Sequence, residues 1–270
     1  MFNFQSNIQK RLEKGDYRYV INETTRQLNS FAFNECELFY LRGIARRQIE
    51  DINGAIDDFD KASEIDPDNP EIFCTRGLFK EELKDFEGAI DDLTLAIQLD
   101  PSNAEYFLLR AELMKKNVSL LGFQLGGIDK KEKFKYIIQD FDIAIQLDPD
   151  NPEYIFKRGL TFGDLENYES AIDDFNKAIE LDPQDPDYFD NRGNAKANLE
   201  DYKGAIDDYS KVIEINPDNA FIFYQRGYAK FCLNDFKGAI DDYSKVIEID
   251  PEGEYAKKAT RNIQEIDTGI

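Results

Sequence analysis

The side chains best equipped for chemistry in this sequence are charged ones that return at fixed spacing. Arginine stands at Arg42, Arg76, Arg110, Arg158, Arg192 and Arg226, and paired acids stand at Asp57-Asp58, Asp91-Asp92, Asp173-Asp174, Asp207-Asp208 and Asp241-Asp242. A row of guanidinium groups could grip an anion, and paired carboxylates could hold a cation or act as acid and base. Repetition weighs against both, because a site is usually local and these residues recur in copy after copy. It favours an Arg–Asp ladder between adjacent helices, with the arginine stems covering apolar surface. Other chemistry has less support. The 270 residues contain no His, which excludes Ser-His and Cys-His nucleophile systems and a Cys/His zinc site. There is no P-loop and no GxGxxG, and the Asp-rich turns lack EF-hand spacing. The expectation is a chain that is not an enzyme, with no catalytic residue, no metal and no cofactor.

The elements that carry these residues follow from one repeated phrase. Asp201 to Pro217 reads DYKGAIDDYSKVIEINP, and Asp235 to Pro251 reads DFKGAIDDYSKVIEIDP. Looser copies close at Pro67, Pro101, Pro149 and Pro183, so that every step is 34 residues except the one from Pro101 to Pro149, which is 48. A period of this size marks a solenoid. Within one copy, Pro186 follows a capping Asp185, and small or apolar residues at Phe189, Gly193, Ala197 and Leu199 predict a first helix. Leu199-Glu200-Asp201 forms a turn. Ala205, Ile206, Tyr209, Val212 and Ile213 form the stripe of a second helix over about 202–215, which Asn216-Pro217 ends. Each copy is thus a helical hairpin.

These residues resemble the tetratricopeptide repeat family. Counting each copy from 31 residues before its closing proline, the eighth place is Gly43, Gly77, Ala111, Gly159, Gly193 and Gly227. The twentieth is Ala55, Ala89, Ala171, Ala205 and Ala239, with Ile137 departing. The twenty-fourth is Phe59, Phe141, Phe175, Tyr209 and Tyr243, with Leu93 departing; the usual tryptophan at the fourth place is replaced by Phe39, Phe73, Phe107, Ile155, Phe189 and Phe223. The match runs over about 35–252. It implies an all-α, right-handed superhelical solenoid of stacked antiparallel helix pairs, in one domain spanning 1–270. Residues 1–35 read as a divergent capping repeat with Gly15-Asp16-Tyr17 at its turn, 36–252 as six repeats, and 253–270 as a C-terminal capping helix with Tyr255, Ala259, Ile263 and Ile266 on one face.

The resemblance also implies function: a protein-interaction scaffold whose first helices line a concave groove that accepts a peptide or partner helix. The family's groove places fall on Phe156 and Lys157 in the fifth hairpin. In the sixth they fall on Asp187, Asp190, Asn191, Asn194 and Asn198, and in the seventh on Tyr224, Gln225, Tyr228 and Phe231. Amides pair with peptide backbone and aromatics supply contact area. For Tyr224, Tyr228 and Phe231 a second reading stands beside this one: they pack on the C-terminal helix. The family's clamp for acidic chaperone tails needs Lys at the fifth place, and none of Tyr40, Cys74, Leu108, Phe156, Asp190 and Tyr224 is Lys.

The extra residues of the fourth copy, about 117–130, read NVSLLGFQLGGIDK, the least polar stretch of the chain. Leu120, Leu121, Phe123 and Leu125 are candidate contacts for a partner or for a second copy, which makes self-association the alternative function. They could instead fold back on their own stack, or both helices of this hairpin could simply be longer. The net charge of −22 argues against nucleic acid or an anionic membrane as partner and suits a basic or amphipathic protein or peptide, beside the plainer reading that the acid is solvated surface that keeps the chain soluble. Cys36, Cys74 and Cys232 form no CxxC pair and fit a reducing cytoplasm as small buried or half-buried thiols. The first residues lack a signal-peptide pattern, and no apolar run is long enough to span a membrane.

Overall fold

A computed structural model describes the backbone of residues 2–30, 34–121 and 128–268, and the side chains of 7–30, 34–119 and 132–268. The described residues form helices and turns with no strand, an all-α solenoid of the hairpin-repeat type. The chain divides into two compact units, Met1–Leu147 and Asp148–Ile270.

The N-terminal unit holds α1 (Phe2–Glu13), α2 (Tyr17–Leu28), α3 (Glu35–Gln48), α4 (Ile52–Ile65), α5 (Pro70–Glu82), α6 (Phe86–Leu99), α7 (Ala104–Leu121) and α8 (Ile128–Leu147). The C-terminal unit holds α9 (Pro152–Asp164), α10 (Tyr168–Leu181), α11 (Pro186–Asn198), α12 (Tyr202–Ile215), α13 (Ala220–Cys232), α14 (Phe236–Ile249) and α15 (Glu254–Thr268). The helices pair in order into seven hairpins, and α15 packs on α14.

Local chemistry sets the boundaries. From α5 onward, first helices open behind an Asn or Asp whose side chain accepts a backbone N–H, as Asn69 does from Glu71 and Asp185 from Asp187. From α4 onward, second helices end at an Asp or Asn that precedes proline, where α geometry is disfavoured: Asp66, Asp100, Asp182, Asn216 and Asp250 have φ between −128° and −138°. In the six hairpins whose inner turn is described, that turn holds one left-handed residue. Glu50, Lys84, Glu166, Glu200 and Asn234 take it at φ from 59° to 66°, and Gly15 takes it in the first hairpin at 77°.

Packing is between neighbours. Ala55, Phe59 and Ala62 of the second hairpin bury against Ile72 and Phe79 of the third; Ala205, Tyr209 and Val212 of the sixth meet Ile222 and Ala229 of the seventh. The C-terminal face formed by Phe223, Tyr243 and Val246 is covered by Ala259, Tyr255, Ile263 and Ile266 of α15. At Gly43, Gly159, Gly193 and Gly227 the eighth place must be small because an aromatic ring lies over it: a Cβ on Gly193 would sit 2.8 Å from Tyr209 Cε1, and one on Gly43 would sit 2.6 Å from Phe59 Cε2.

In the fourth hairpin both helices are longer. α7 has 18 residues and α8 has 20, where α5 has 13 and α6 has 14. Residues 117–121 continue α7 and 128–130 open α8, so most of the added sequence is helical. Phe123 and Leu125 lie outside the described residues, as do the side chains of Leu120 and Leu121.

Candidate functional site

The repeated charges are structural. In each of six hairpins the arginine at the seventh place grips the second aspartate of α4, α6, α8, α10, α12 or α14 with two parallel bonds, Nε and Nη2 to the two carboxylate oxygens, at 2.5–3.0 Å. These aspartates, Asp58, Asp92, Asp140, Asp174, Asp208 and Asp242, are buried, whereas their exposed neighbours Asp57, Asp91, Asp173, Asp207 and Asp241 face solvent. The third arginine nitrogen reaches back to the preceding hairpin: Arg42 to Thr25, Arg76 to Asp60, Arg110 to Thr94, Arg192 to Asn176 and Arg226 to Ser210. Each guanidinium also lies over an aromatic ring. That ring is the fourth-place phenylalanine in five hairpins, and it is Phe162 for Arg158, whose hairpin has Ile155 at the fourth place. A second cation joins the aspartate in four hairpins, from Arg46, Lys80, Lys196 and Lys230. Met114 and Phe162 stand at that place in the other two. The ladder holds helix to helix, and its carboxylates are fully engaged.

The face lined by first helices in the C-terminal unit has a different character. Asn194, Asn198, Gln225 and Tyr228 line one recess of about 380 Å³ together with Ala197, Glu200, Tyr202, Tyr209 and Ala229. Four of the groove residues expected from the sequence therefore come together on α11 and α13. Tyr228 is 50 % exposed and Asn198 is exposed. Beneath the recess runs a hydrogen-bond chain. Tyr209 Oη donates to Asn194 Oδ1 (2.8 Å), Asn194 Nδ2 donates to Asp190 Oδ1 (3.1 Å), and Gln225 Nε2 donates to the same oxygen (3.1 Å). Burial raises the Asp190 carboxyl above its ordinary range, against the lowering effect of the two amide donors. Burial likewise raises the Tyr209 phenol.

The remaining expected residues lie elsewhere. Phe156 packs its ring on Phe175 and Tyr188, with centroids at 5.7 and 4.8 Å, and Lys157 on the same helix is half-buried. Asn191 donates to the Asp187 carbonyl. Tyr224 is half-buried against Tyr243 and Tyr255 and accepts a bond from Asn262 Nδ2, so it packs on α15. In the sequence Asp190 is one groove place among several; Asn194 is its neighbour on the same helix, but the bond from Gln225 depends on α13 lying beside α11, which no local pattern encodes.

A second recess, of about 350 Å³ and mainly apolar, lies between α6 and the lengthened α7 and α8, lined by Ile90, Met114, Val118 and Tyr136. Cys36, Cys74 and Cys232 are half-buried free thiols, and burial raises Cys74 to about 11. Among the described residues no group of His, Cys, Asp and Glu is placed to hold a metal ion, and no helix is long and apolar enough to cross a membrane.

The succession of packed helical hairpins defines a helical-repeat scaffold, a class that works by binding other proteins. Residues 37–69, 70–103 and 222–252 match a family described as tetratricopeptide repeat, and residues 162–200 and 193–233 match one described as TPR repeat. The chain belongs to the tetratricopeptide repeat family, whose members are typically non-catalytic and bind protein or peptide partners. Solved structures share the fold. The C-terminal part of a TPR repeat-containing protein from Cytophaga hutchinsonii is similar with a TM-score of 0.76 and 17% identity, covering 96% of this chain and 99% of its own. YrrB, described as a TPR protein with an unusual peptide-binding site, has a TM-score of 0.60 and 21% identity over 75% of this chain and 97% of its own. MamA has a TM-score of 0.59 and 21% identity over 68% and 92%. No curated protein matches the sequence significantly.

Proposed function

We propose that this protein is a non-enzymatic scaffold that takes an extended peptide or a partner helix on the α11–α13 face. The observation that carries this reading is the recess lined by Asn194, Asn198, Gln225 and Tyr228. It pairs amide groups suited to a peptide backbone with a half-exposed tyrosine ring that supplies area at low entropy cost. The peptide-binding site ascribed to YrrB supports it by analogy of fold. The partner is a basic or amphipathic protein segment, since a chain of net charge −22 repels nucleic acid and anionic membranes. Selection from a displayed peptide library, followed by titration of the best peptide against Asn198→Ala and Tyr228→Ala, tests it. Both variants should lose at least about tenfold in affinity with an unchanged melting curve. Wild-type affinity in both would refute this placement.

A further inference from the structure

We propose that Asp190 sets the specificity of this face, by selecting a partner that presents a lysine or arginine side chain. The proposal rests on the peptide-binding reading and names its ligand chemistry. Buried aspartates in this fold are otherwise matched to cations: Asp208, on the companion helix of the same hairpin, is held by Arg192 and Lys196. Asp190 on α11 is half-buried, yet Asn194 and Gln225 supply its hydrogen bonds, both neutral amides, and no cation among the described residues forms an ion pair with it. Neutral donors orient a carboxylate without cancelling its charge.

The same two amides line the recess, so a ligand lying there is one side chain away from the carboxylate. The surroundings add to the negative potential. Asp187 lies one turn before Asp190 on α11, and Glu200 lines the recess itself. Burial penalises the charged form of this carboxyl, and an incoming ammonium or guanidinium would relieve that penalty. An acidic segment would deepen it. A bare metal ion suits the place poorly, because one carboxylate flanked by N–H donors offers too few oxygen ligands.

The test uses the whole chain and two capped heptapeptides, Gly-Ser-Ala-Arg-Ala-Ser-Gly and its citrulline counterpart, which keeps the shape of arginine and loses the charge. Binding is followed at low salt by the side-chain amide resonances of Asn194 and Gln225. The arginine peptide should bind about tenfold more tightly than the citrulline peptide. In Asp190→Asn that preference should vanish while the melting temperature stays level or rises. Equal affinities in the wild type, an intact preference in Asp190→Asn, or a clear loss of stability in that variant would overturn the proposal. Binding of both peptides without preference leaves the peptide-binding face standing and removes only the role of Asp190. Silence of both amide resonances with either peptide refutes the two together.

Discussion

Replacing Arg192 by leucine tests whether the charge ladder is architecture. Leucine preserves much of the apolar stem that covers Phe189 but removes the two bonds to Asp208 and the 2.7 Å bond to Asn176 of the preceding hairpin. Asp208 would remain buried with Lys196, 2.8 Å away, as its one cation. Stripping one partner from a buried ion pair costs about 3–5 kcal/mol, and the surviving lysine brings the expected loss here to about 2–3 kcal/mol. In the fourth hairpin Met114 stands where Lys196 stands in the sixth, and Arg110 is the one cation bound to Asp140 among the described residues. Arg110→Leu should therefore cost more, about 3–5 kcal/mol. Urea unfolding followed by circular dichroism reads the difference: with slopes of about 1–3 kcal/mol per molar, the Arg192→Leu midpoint falls by roughly 1 M and that of Arg110→Leu by more. Because stacked repeats need not unfold in one step, hydrogen exchange on α11 and α12 accompanies the melts and should show the loss concentrated there. Unchanged midpoints together with abolished peptide binding would show that the arginines serve a ligand and that the structural argument is wrong.

Other expectations follow from single features. Asp190 has its carboxyl raised from 3.8 by burial, so the folded state holds this proton more tightly than the unfolded chain. The contribution to stability is complete below that value and is lost as pH climbs through the raised one; Asp190→Asn should thus melt above the wild type at pH 7 and lose that advantage at pH 3. Gly193→Ala should destabilise by about 1–3 kcal/mol against the Tyr209 ring, whereas Gly163→Ala, with no neighbouring atom within 4 Å, should gain about 0.5–1 kcal/mol; opposite signs in paired thermal melts check both. Glu200→Gly relieves a left-handed backbone at φ 63° and should raise stability by about 0.5–1 kcal/mol net of the added chain entropy. A fall in its melting temperature would show that the Glu200 side chain matters more than its backbone.

Much of the fold could be read from residues because each hairpin carries its own punctuation. The second helix expected over about 202–215 is Tyr202–Ile215, and Gly15 holds the left-handed turn residue of the divergent first hairpin. Tyr255, Ala259, Ile263 and Ile266 pack as the single-face pattern implied. The lengthened fourth hairpin was open to two readings because Val118, Leu120 and Leu121 suit a continued helix as well as an apolar loop, and periodicity alone does not separate them. The candidate face was legible only as a set of helix positions. Which of those residues share a recess depends on neighbours one period away: Gln225 meets Asp190 across 35 residues, and Tyr224 turns to a helix that begins at Glu254.

The backward reach of the ladder arginines gives the stack a polarity. Within the C-terminal unit, Arg226 borrows an acceptor from Ser210 and Arg192 borrows one from Asn176, whereas neither hairpin reaches forward in this way. Trimming whole hairpins from the downstream side therefore leaves every upstream guanidinium with its full complement of acceptors, but trimming from the upstream side strips one bond from the hairpin newly exposed. Within the C-terminal unit the ladder is therefore indifferent to the loss of a hairpin downstream and sensitive to the loss of one upstream.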